Sequence, residues 1–438
     1  MKSNAISCDL LVIGAGVAGT AAALFAAKRG LSTAIAGMTS QFDFVSGLMD
    51  LIGVHPETRE ALHCNPWDVI TALKHAAPRH PYSRMDARII RTAFDEYLDA
   101  LSASGLVYHR EPFGNIPVVT SAGTRKMTYA IPAGMAEGAL ALAHKRPCLL
   151  VDFEGLKGFS AVQIAESLRS HWPDIQTTRI SLFNRPADRY PLAIAHKIES
   201  AETHARLAED LRPLAQSAEV VGFPAVLGVS AANAVQADLA RQLNRPVFEI
   251  PMLPPSIPGR RLAAALENIL QAQNVLSYIP QRVLSAVVRS DGTFQCEIGC
   301  QDATVTLHSR AIVLATGRFF AKGLMATRKG LQETVFNLPV YQPDERSEWH
   351  HEDLLHPKGH PINQAGLETD ANFRPVDKNG QPIYPSLYAA GAILAHQDWM
   401  RTKCGTGLSV ATAFAAVNAF LNSETESAAH GTVSCCTN

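Results

Sequence analysis

Three glycines near the N-terminus constrain this chain more than any other feature. Asp9-Leu10-Leu11-Val12-Ile13 runs directly into Gly14-x-Gly16-x-x-Gly19, and an alanine-rich stretch follows over residues 20–29. An apolar strand, a tight turn and a helix in that order make a βαβ unit whose helix N-terminus faces a phosphate. Gly14 permits the turn, Gly16 lets the backbone approach the phosphate, and Gly19 lets helix and strand pack closely. The exposed amides and the helix dipole then hold the anion. The competing reading of the same residues is an Ala/Gly-rich core helix after a buried strand.

The usual partner of that motif is missing. An acidic side chain about 20 residues past the first glycine, at the end of the second strand, normally binds the ribose of an adenosine. Here the segment reads Thr33-Ala34-Ile35-Ala36-Gly37-Met38, and no carboxylate comes before Asp43. The expectation therefore moves from NAD or FAD towards a mononucleotide such as FMN. Residues 10–27 are uncharged, and hydropathy alone would take them for a membrane span or the core of a signal peptide. The glycine spacing accounts for them better, and Lys2 is a weak basic leader, so neither export nor a transmembrane helix is expected.

With 438 residues, 47% apolar and 18% charged, the chain can bury a sizeable core spread over two or three domains. Its formal net charge of -1 gives no global reason to expect nucleic acid or an anionic membrane surface. The eight cysteines lack zinc spacing: Cys296 and Cys300 fall in a hairpin and Cys435-Cys436 in a polar tail. Reduced thiols in the cytosol are the simplest account.

Proline-rich breaks and changes of periodicity indicate an insertion. Residues 81–215 alternate helical stretches (88–104 and 160–171) with short apolar strands (148–153 and around Ile180), as an inserted α/β cap or substrate domain would. Beyond it, residues 282–289, 293–299 and 304–307 alternate around the turn Ser290-Asp291-Gly292, and Ala311-Ile312-Val313-Leu314-Ala315-Thr316-Gly317 is a buried strand. That is a β-meander followed by a parallel strand whose Thr-Gly end sits where α/β folds bind ligand.

A third glycine-rich segment follows. Pro385-Ser386-Leu387-Tyr388-Ala389-Ala390-Gly391 precedes Lys403-Cys404-Gly405-Thr406-Gly407 and an apolar helix over 408–421. In flavin enzymes such a helix start points at the pyrimidine edge of the isoalloxazine, where negative charge gathers on reduction. Ala392 occupies the place of an Asp that bonds the ribityl chain in many two-domain flavoproteins, a second departure from a standard FAD site. The expected fold class is α/β, a Rossmann-like flavin-binding domain with a β-meander and an inserted α/β cap domain. Residues 1–80 and 216–425 would form the flavin-binding domain, 81–215 the cap and 426–438 a disordered tail.

Nearly the whole chain resembles the B subunits of anaerobic glycerol-3-phosphate dehydrogenases, within the fumarate-reductase-like flavoprotein superfamily. Besides the glycine motif, the resemblance is carried by Ser46-Gly47 with Asp50-Leu51, His80-Pro81-Tyr82, Leu253-Pro254-Pro255-Ser256 with Gly259 and Arg261-Leu262, and Ala315-Thr316-Gly317 with Phe319-Phe320. It continues through Gly323-Leu324, Arg328 with Gly330, Thr369-Asp370 with Arg374-Pro375, and Gly391 with Gly405 and Gly407. The resemblance implies FMN as cofactor, with FAD as second choice, held by Gly14, Gly16, Gly19, Ser46, Gly47, Thr316, Gly317, Gly391, Gly405 and Gly407. It also implies a larger FAD-containing catalytic A subunit and an iron-sulfur C subunit that anchors the complex and passes electrons to membrane quinone. The chain itself would be cytoplasmic, meeting the membrane only through these partners.

The implied reaction is oxidation of sn-glycerol 3-phosphate to dihydroxyacetone phosphate. It needs cations for the phosphate and a base for the hydroxyl. The cation candidates are Arg318, Lys322, Arg328, Arg261, Arg374, Arg401 and Lys403, and the candidate bases are His360 and His396. Arg318, His360, Arg401 and Lys403 are put first. The alternative is a flavin-binding electron-transfer or structural subunit without substrate chemistry of its own. An NAD-dependent dehydrogenase is disfavoured by the missing acid. His350, His351, His356 and His360 cluster beside Glu348, Glu352 and Asp353, but Pro357 and Gly359 keep His356 and His360 off one helical face, so no metal site is expected.

Overall fold

The computed structural model describes residues 6–56, 65–112, 114–183, 185 and 187–433. The chain divides into two compact units: Met1–Thr39, Trp67–Ala100 and Leu266–Asn438 form the first, Ser40–Pro66 and Leu101–Ala265 the second.

The first unit is built on a seven-stranded sheet. Strand β1 (Ile6–Ile13) lies between β2 (Thr33–Ala36) and the long strand Ala303–Leu314, parallel to both. Leu276–Tyr278 extends the parallel set beyond β2, and Leu387–Ala389 pairs with residues 312–314 at the end of the long strand. Leu10, Leu11 and Val12 are fully buried, which is why β1 reads as a continuous apolar run rather than an alternating one. The strands Phe294–Gly299 and Arg282–Val288 continue the sheet antiparallel, completing the meander.

Helix α1 (Val17–Lys28) is buried on almost every side because Ala21, Ala22, Ala23 and Ala26 let it approach its neighbours closely. Gly30, at φ +78°, ends it in a left-handed turn. The C-terminal helix Gly405–Val433 lies along α1, with Phe25 edge-on to Phe414 at 5.1 Å between ring centroids. Arg29 joins the pair by donating to Asn418 Oδ1 at 3.0 Å and to Glu96.

The second unit holds a four-stranded, wholly parallel sheet in the spatial order Val247–Ile250, Val220–Pro224, Cys148–Phe153, Ile175–Ile180. The inner strands are buried throughout, whereas the edge strand Ile175–Ile180 is half exposed. Chain order reverses between Cys148–Phe153 and Val220–Pro224, so the carboxyl ends of these two strands diverge. The loop after Val220–Pro224 is held from three directions. Glu249 Oε1 accepts from the Leu227 amide at 2.8 Å, and Arg261 donates to Gly228 O at 2.9 Å. Glu199 Oε1 accepts from the amides of Val229, Ser230 and Ala231 at 2.7, 2.6 and 3.0 Å.

Three stretches fall differently from the sequence expectation. Residues 81–100 join the first unit and 40–66 the second, and 216–265 join the second because Val220–Pro224 and Val247–Ile250 complete the parallel sheet begun by Cys148–Phe153. The helix expected over 408–421 starts at Gly405 and runs to Val433, so the disordered tail expected from residue 426 is helical as far as Val433. Cys64, Cys435 and Cys436 lie outside the described residues. The expected helices and strands between residues 81 and 180 are present as Ala87–Ala103, Cys148–Phe153, Ala161–Leu168 and Ile175–Ile180. The segments at 304–307 and 311–317 prove to be one strand, Ala303–Leu314.

Candidate flavin cradle and its polar surround

Because β1, Ala303–Leu314 and Leu387–Ala389 run parallel, the three glycine-rich segments leave the first unit's sheet at one edge. They are in contact there. A Cβ on Gly14, at φ +114°, would lie 2.3 Å from Ala315 O, and one on Gly19 would lie 1.7 Å from Gly14 O. Gly37, at the end of β2, is equally constrained, with a Cβ falling 2.4 Å from Ala15 N. A Cβ on Gly391, at φ +76°, would fall 2.5 Å from Ala18 Cβ in the first turn of α1, and the Gly391 amide donates to Thr412 Oγ1 at 2.8 Å in the C-terminal helix.

Gly16 differs from the others: a Cβ there meets no protein atom within 4 Å. As the N-cap of α1 it offers the leading amides no side-chain acceptor, and the first turn of α1 carries no acidic residue. The amides at this helix start are therefore presented to a space that the protein leaves open, as an anion-binding terminus requires. Thr316 Oγ1 is buried without a hydrogen-bond partner beside Gly323 and Gly317, where a polar ligand atom would satisfy it. The glycine contacts and this orphan hydroxyl fit a flavin nucleotide. At the end of β2, Ala36-Gly37-Met38 brings no carboxylate to the ribose position.

The expected cofactor residues Gly14, Gly16, Gly19, Thr316, Gly317, Gly391, Gly405 and Gly407 all belong to the first unit. Gly405 packs on the Trp399 ring, and Gly407 is buried in the first turn of its helix. Ser46 and Gly47 belong to the second unit, where Gly47, at φ +81°, packs on Pro258 and accepts from the Tyr108 hydroxyl at 2.9 Å.

The charged candidates separate clearly. Arg261 forms a buried ion pair with Glu249 in the second unit, Nη1 to Oε2 at 2.5 Å, and Arg374 pairs with Asp370 at 2.7 Å. Both guanidinium groups are engaged by carboxylates. Lys322 and Arg328 are exposed, Arg328 in the turn between Leu324–Thr327 and Gly330–Glu333. Arg318 donates to the carbonyls of Asn363 and Ala365; burial lowers its pKa, opposed by the nearby Asp398 carboxylate. Arg401 donates to Pro357 O and is packed by Gly359. Lys403 closes the short helix Trp399–Thr402 at φ +52°.

His360 is engaged at both nitrogens, Nδ1 accepting from the His351 amide at 3.1 Å and Nε2 lying 3.0 Å from Leu354 O. It staples its own loop, and this arrangement removes it as a base. His351 and His356 stack at 3.8 Å, and His356 Nδ1 accepts from the Lys358 amide at 3.2 Å. His396 is placed quite differently, as the donor of a 2.8 Å bond from Nε2 to Glu368 Oε1. The residues that sequence reasoning did not single out are Arg79, Arg84, Tyr341 and Glu368, which gather around it. The signal for Arg79, Arg84 and Glu368 lay in the neighbouring His80-Pro81-Tyr82 and Thr369-Asp370; no such motif accompanies Tyr341.

A parallel sheet with three glycine-rich loops and two helix starts at one edge defines a nucleotide-binding oxidoreductase of the flavin type. Residues 9–408 match the FAD binding domain family, and the chain belongs to that family. Over 426 residues it is 32% identical to the B subunit of a probable anaerobic glycerol-3-phosphate dehydrogenase in Halobacterium salinarum, covering 94% of this chain and 97% of that protein. It is 29% identical over 427 residues to the B subunit of the anaerobic glycerol-3-phosphate dehydrogenase of Vibrio vulnificus, covering 94% of this chain and 96% of that one. Among solved structures, 3-ketosteroid Δ1-dehydrogenase from Sterolibacterium denitrificans aligns with 95% of this chain at a TM-score of 0.47 and 12% identity, with all of that chain covered. Among the described residues no helix is long and apolar enough to cross a membrane.

Proposed function

We propose that this chain is the flavin-carrying B subunit of an anaerobic glycerol-3-phosphate dehydrogenase and takes part in oxidising sn-glycerol 3-phosphate to dihydroxyacetone phosphate. The observation that carries this reading is the open helix start at Gly16, walled by Ala315 against Gly14 and by Gly391 against Ala18, in a chain similar to such subunits over nearly its full length. A bound flavin supplies a two-electron acceptor that takes hydrogen from an alcohol carbon as hydride. The chain's own share is to hold the phosphates on the amides of α1, to satisfy Thr316 Oγ1, and to direct the dipole of Gly405–Val433 at the same sheet edge.

Between the two flavins, FAD is the first choice and FMN the second, reversing the order taken from the missing acid. Membership of the FAD binding domain family across residues 9–408 favours FAD. The ribose would then be held without a carboxylate from Ala36-Gly37-Met38. The relatives are named as B subunits, which supports a multisubunit complex; a catalytic FAD-containing A subunit and an iron-sulfur C subunit are its proposed partners. The proposed location is cytoplasmic, at the membrane only through those partners.

The test is to purify the chain, identify the flavin released on acid precipitation, and follow sn-glycerol 3-phosphate oxidation with an artificial acceptor. Stoichiometric flavin with turnover supports the reading. Flavin with turnover only after the A subunit is added would make the chain an electron-transfer or structural subunit. A chain without flavin would refute both.

A further inference from the structure

His80-Pro81-Tyr82 opens a short 3-10 turn, Pro81–Arg84, and His80 caps it, Nδ1 accepting from the Tyr82 amide at 3.1 Å. The turn between Arg79 and Arg84 is thus built on a buried imidazole, kept neutral by burial first and by the neighbouring His396 second. Both arginines face a segment tied to the Gly391 loop. Leu367 donates to Ile393 O at 2.8 Å and Ala395 to Leu367 O at 3.0 Å, and His396 follows at φ +63°. His396 lies five residues beyond Gly391, at most about 18 Å of extended chain.

The charges around His396 do not balance. Arg79 pairs with the Glu368 oxygen that accepts from His396, and its guanidinium lies 5.1 Å from the centroid of Tyr341. The His396 ring packs on the same tyrosine at 4.1 Å. Arg84 is half-buried and donates to Thr369 Oγ1 and Asp370 O, each at 3.1 Å, yet among the described residues it forms no ion pair. Asp370 is engaged by Arg374. Arg79, Arg84 and Arg374 therefore share two carboxylates, Glu368 and Asp370, and the half-buried Arg84, whose pKa burial lowers against the pull of both, leaves one positive charge unbalanced until an anion arrives.

We propose that Arg84, Arg79 and Thr369 bind the phosphate of a phosphorylated alcohol, and that His396, oriented by Glu368, accepts the proton of its hydroxyl. This rests on the function proposed above. The Nε2–H of His396 is committed to Glu368, so the lone pair is on Nδ1, which makes no hydrogen bond among the described residues. As the hydroxyl O–H breaks, its proton passes to Nδ1; the carbon-bound hydrogen leaves with two electrons to the flavin, and the C–O bond becomes a carbonyl. Burial first, and then Arg79 and Arg84, hold His396 below the usual histidine range, with Glu368 opposing. The imidazole is therefore neutral, and able to act as a base, at pH 7.

The experiment titrates the flavin-loaded full chain calorimetrically with inorganic phosphate and with sn-glycerol 3-phosphate. Both are expected to bind, in competition. Arg84→Gln should weaken both by roughly tenfold or more with flavin content unchanged. Arg79→Gln, at an exposed position, should weaken them in the same direction and serves if Arg84→Gln fails to fold. His396→Asn should hold phosphate within about threefold while abolishing turnover. Unchanged phosphate affinity in both arginine variants would overturn the site, as would a wild-type chain that binds sn-glycerol 3-phosphate but not phosphate. Phosphate binding that depends on Arg84, in a chain with no turnover, would leave the anion site standing and refute oxidation at this subunit.

Discussion

Replacing Gly16 with Val separates the cradle from the fold. Gly16 has φ -81° and ψ -169°, an extended conformation open to any residue, and its Cβ would meet nothing within 4 Å. The structural cost is that of a poorer N-cap, about 1 kcal/mol, a fall in Tm of no more than about 4 °C. The cost to the ligand is much larger. If the isopropyl group takes the space of a phosphate and breaks two charge-assisted amide contacts, about 3–6 kcal/mol is lost and Kd rises by roughly 10²–10⁴. Gly19→Ala is the opposite case. Its methyl would fall 1.7 Å from Gly14 O, so backbone must move and the fold itself suffers. The assay is flavin per chain after gel filtration, read beside the melting temperature of the flavin-free chains. Full flavin occupancy in Gly16→Val, or a melt as damaged as that of Gly19→Ala, would refute the placement of the phosphate.

Thr406→Asp, at a half-buried position in the first turn of Gly405–Val433, should lower the flavin midpoint potential by roughly 30 mV or more, the equivalent of about 1.4 kcal/mol for a two-electron couple. A midpoint unchanged in spectroelectrochemical titration would mean this helix start does not face the ring. Glu249→Gln leaves Arg261 buried without its charge partner and should cost roughly 3–5 kcal/mol in denaturant unfolding, with flavin content preserved in the folded fraction. Flavin loss at undiminished stability would instead make Arg261 a ligand contact. Burial pushes the His80 pKa down to about 4 from 6.5. Because the unfolded chain binds the proton first, stability is lost as pH falls from 6.5 to about 4, to a total of about 3 kcal/mol. His80→Asn, which keeps an acceptor for the Tyr82 amide, should flatten that decline; an unchanged pH profile would place its origin elsewhere.

Local geometry made the cradle legible from residues alone. Gly19 is required by Gly14 five residues earlier and Gly14 by its own φ of +114°, Gly16 borders open space, and the run from Leu10 to Ile13 is apolar because β1 is covered on both faces. Gly391 announced itself too, since its backbone meets Ala18. Side-chain commitments were not legible. Arg261 and Arg374 look like free cations in sequence, and only folding brings Glu249 and Asp370 to them. His360 and His396 look alike in sequence; one is bound up in its own loop and the other turned on Glu368 across 28 residues. The unit boundary was misplaced because a buried parallel strand such as Val220–Pro224 suits either sheet by composition, and strand order is a long-range property.

Glu199 settles which of two similar frameworks is open to a phosphate. The parallel sheet of the second unit diverges between Cys148–Phe153 and Val220–Pro224, a place where doubly wound folds admit ligands, and a helix, Ala232–Leu243, starts beside it. The loop amides just ahead of that helix, those of Val229, Ser230 and Ala231, already grip a carboxylate from the same chain. Burial opposes ionisation of Glu199, but those three amides outweigh it and hold the carboxyl below the usual range, so the plug stays charged at neutral pH. The chain has in effect locked one of its two nucleotide-like doors from the inside. A soluble phosphate compound must displace a tethered anion at the second unit, whereas at Gly16 it meets no rival, and that asymmetry supports Gly16 as the proposed address of the cofactor.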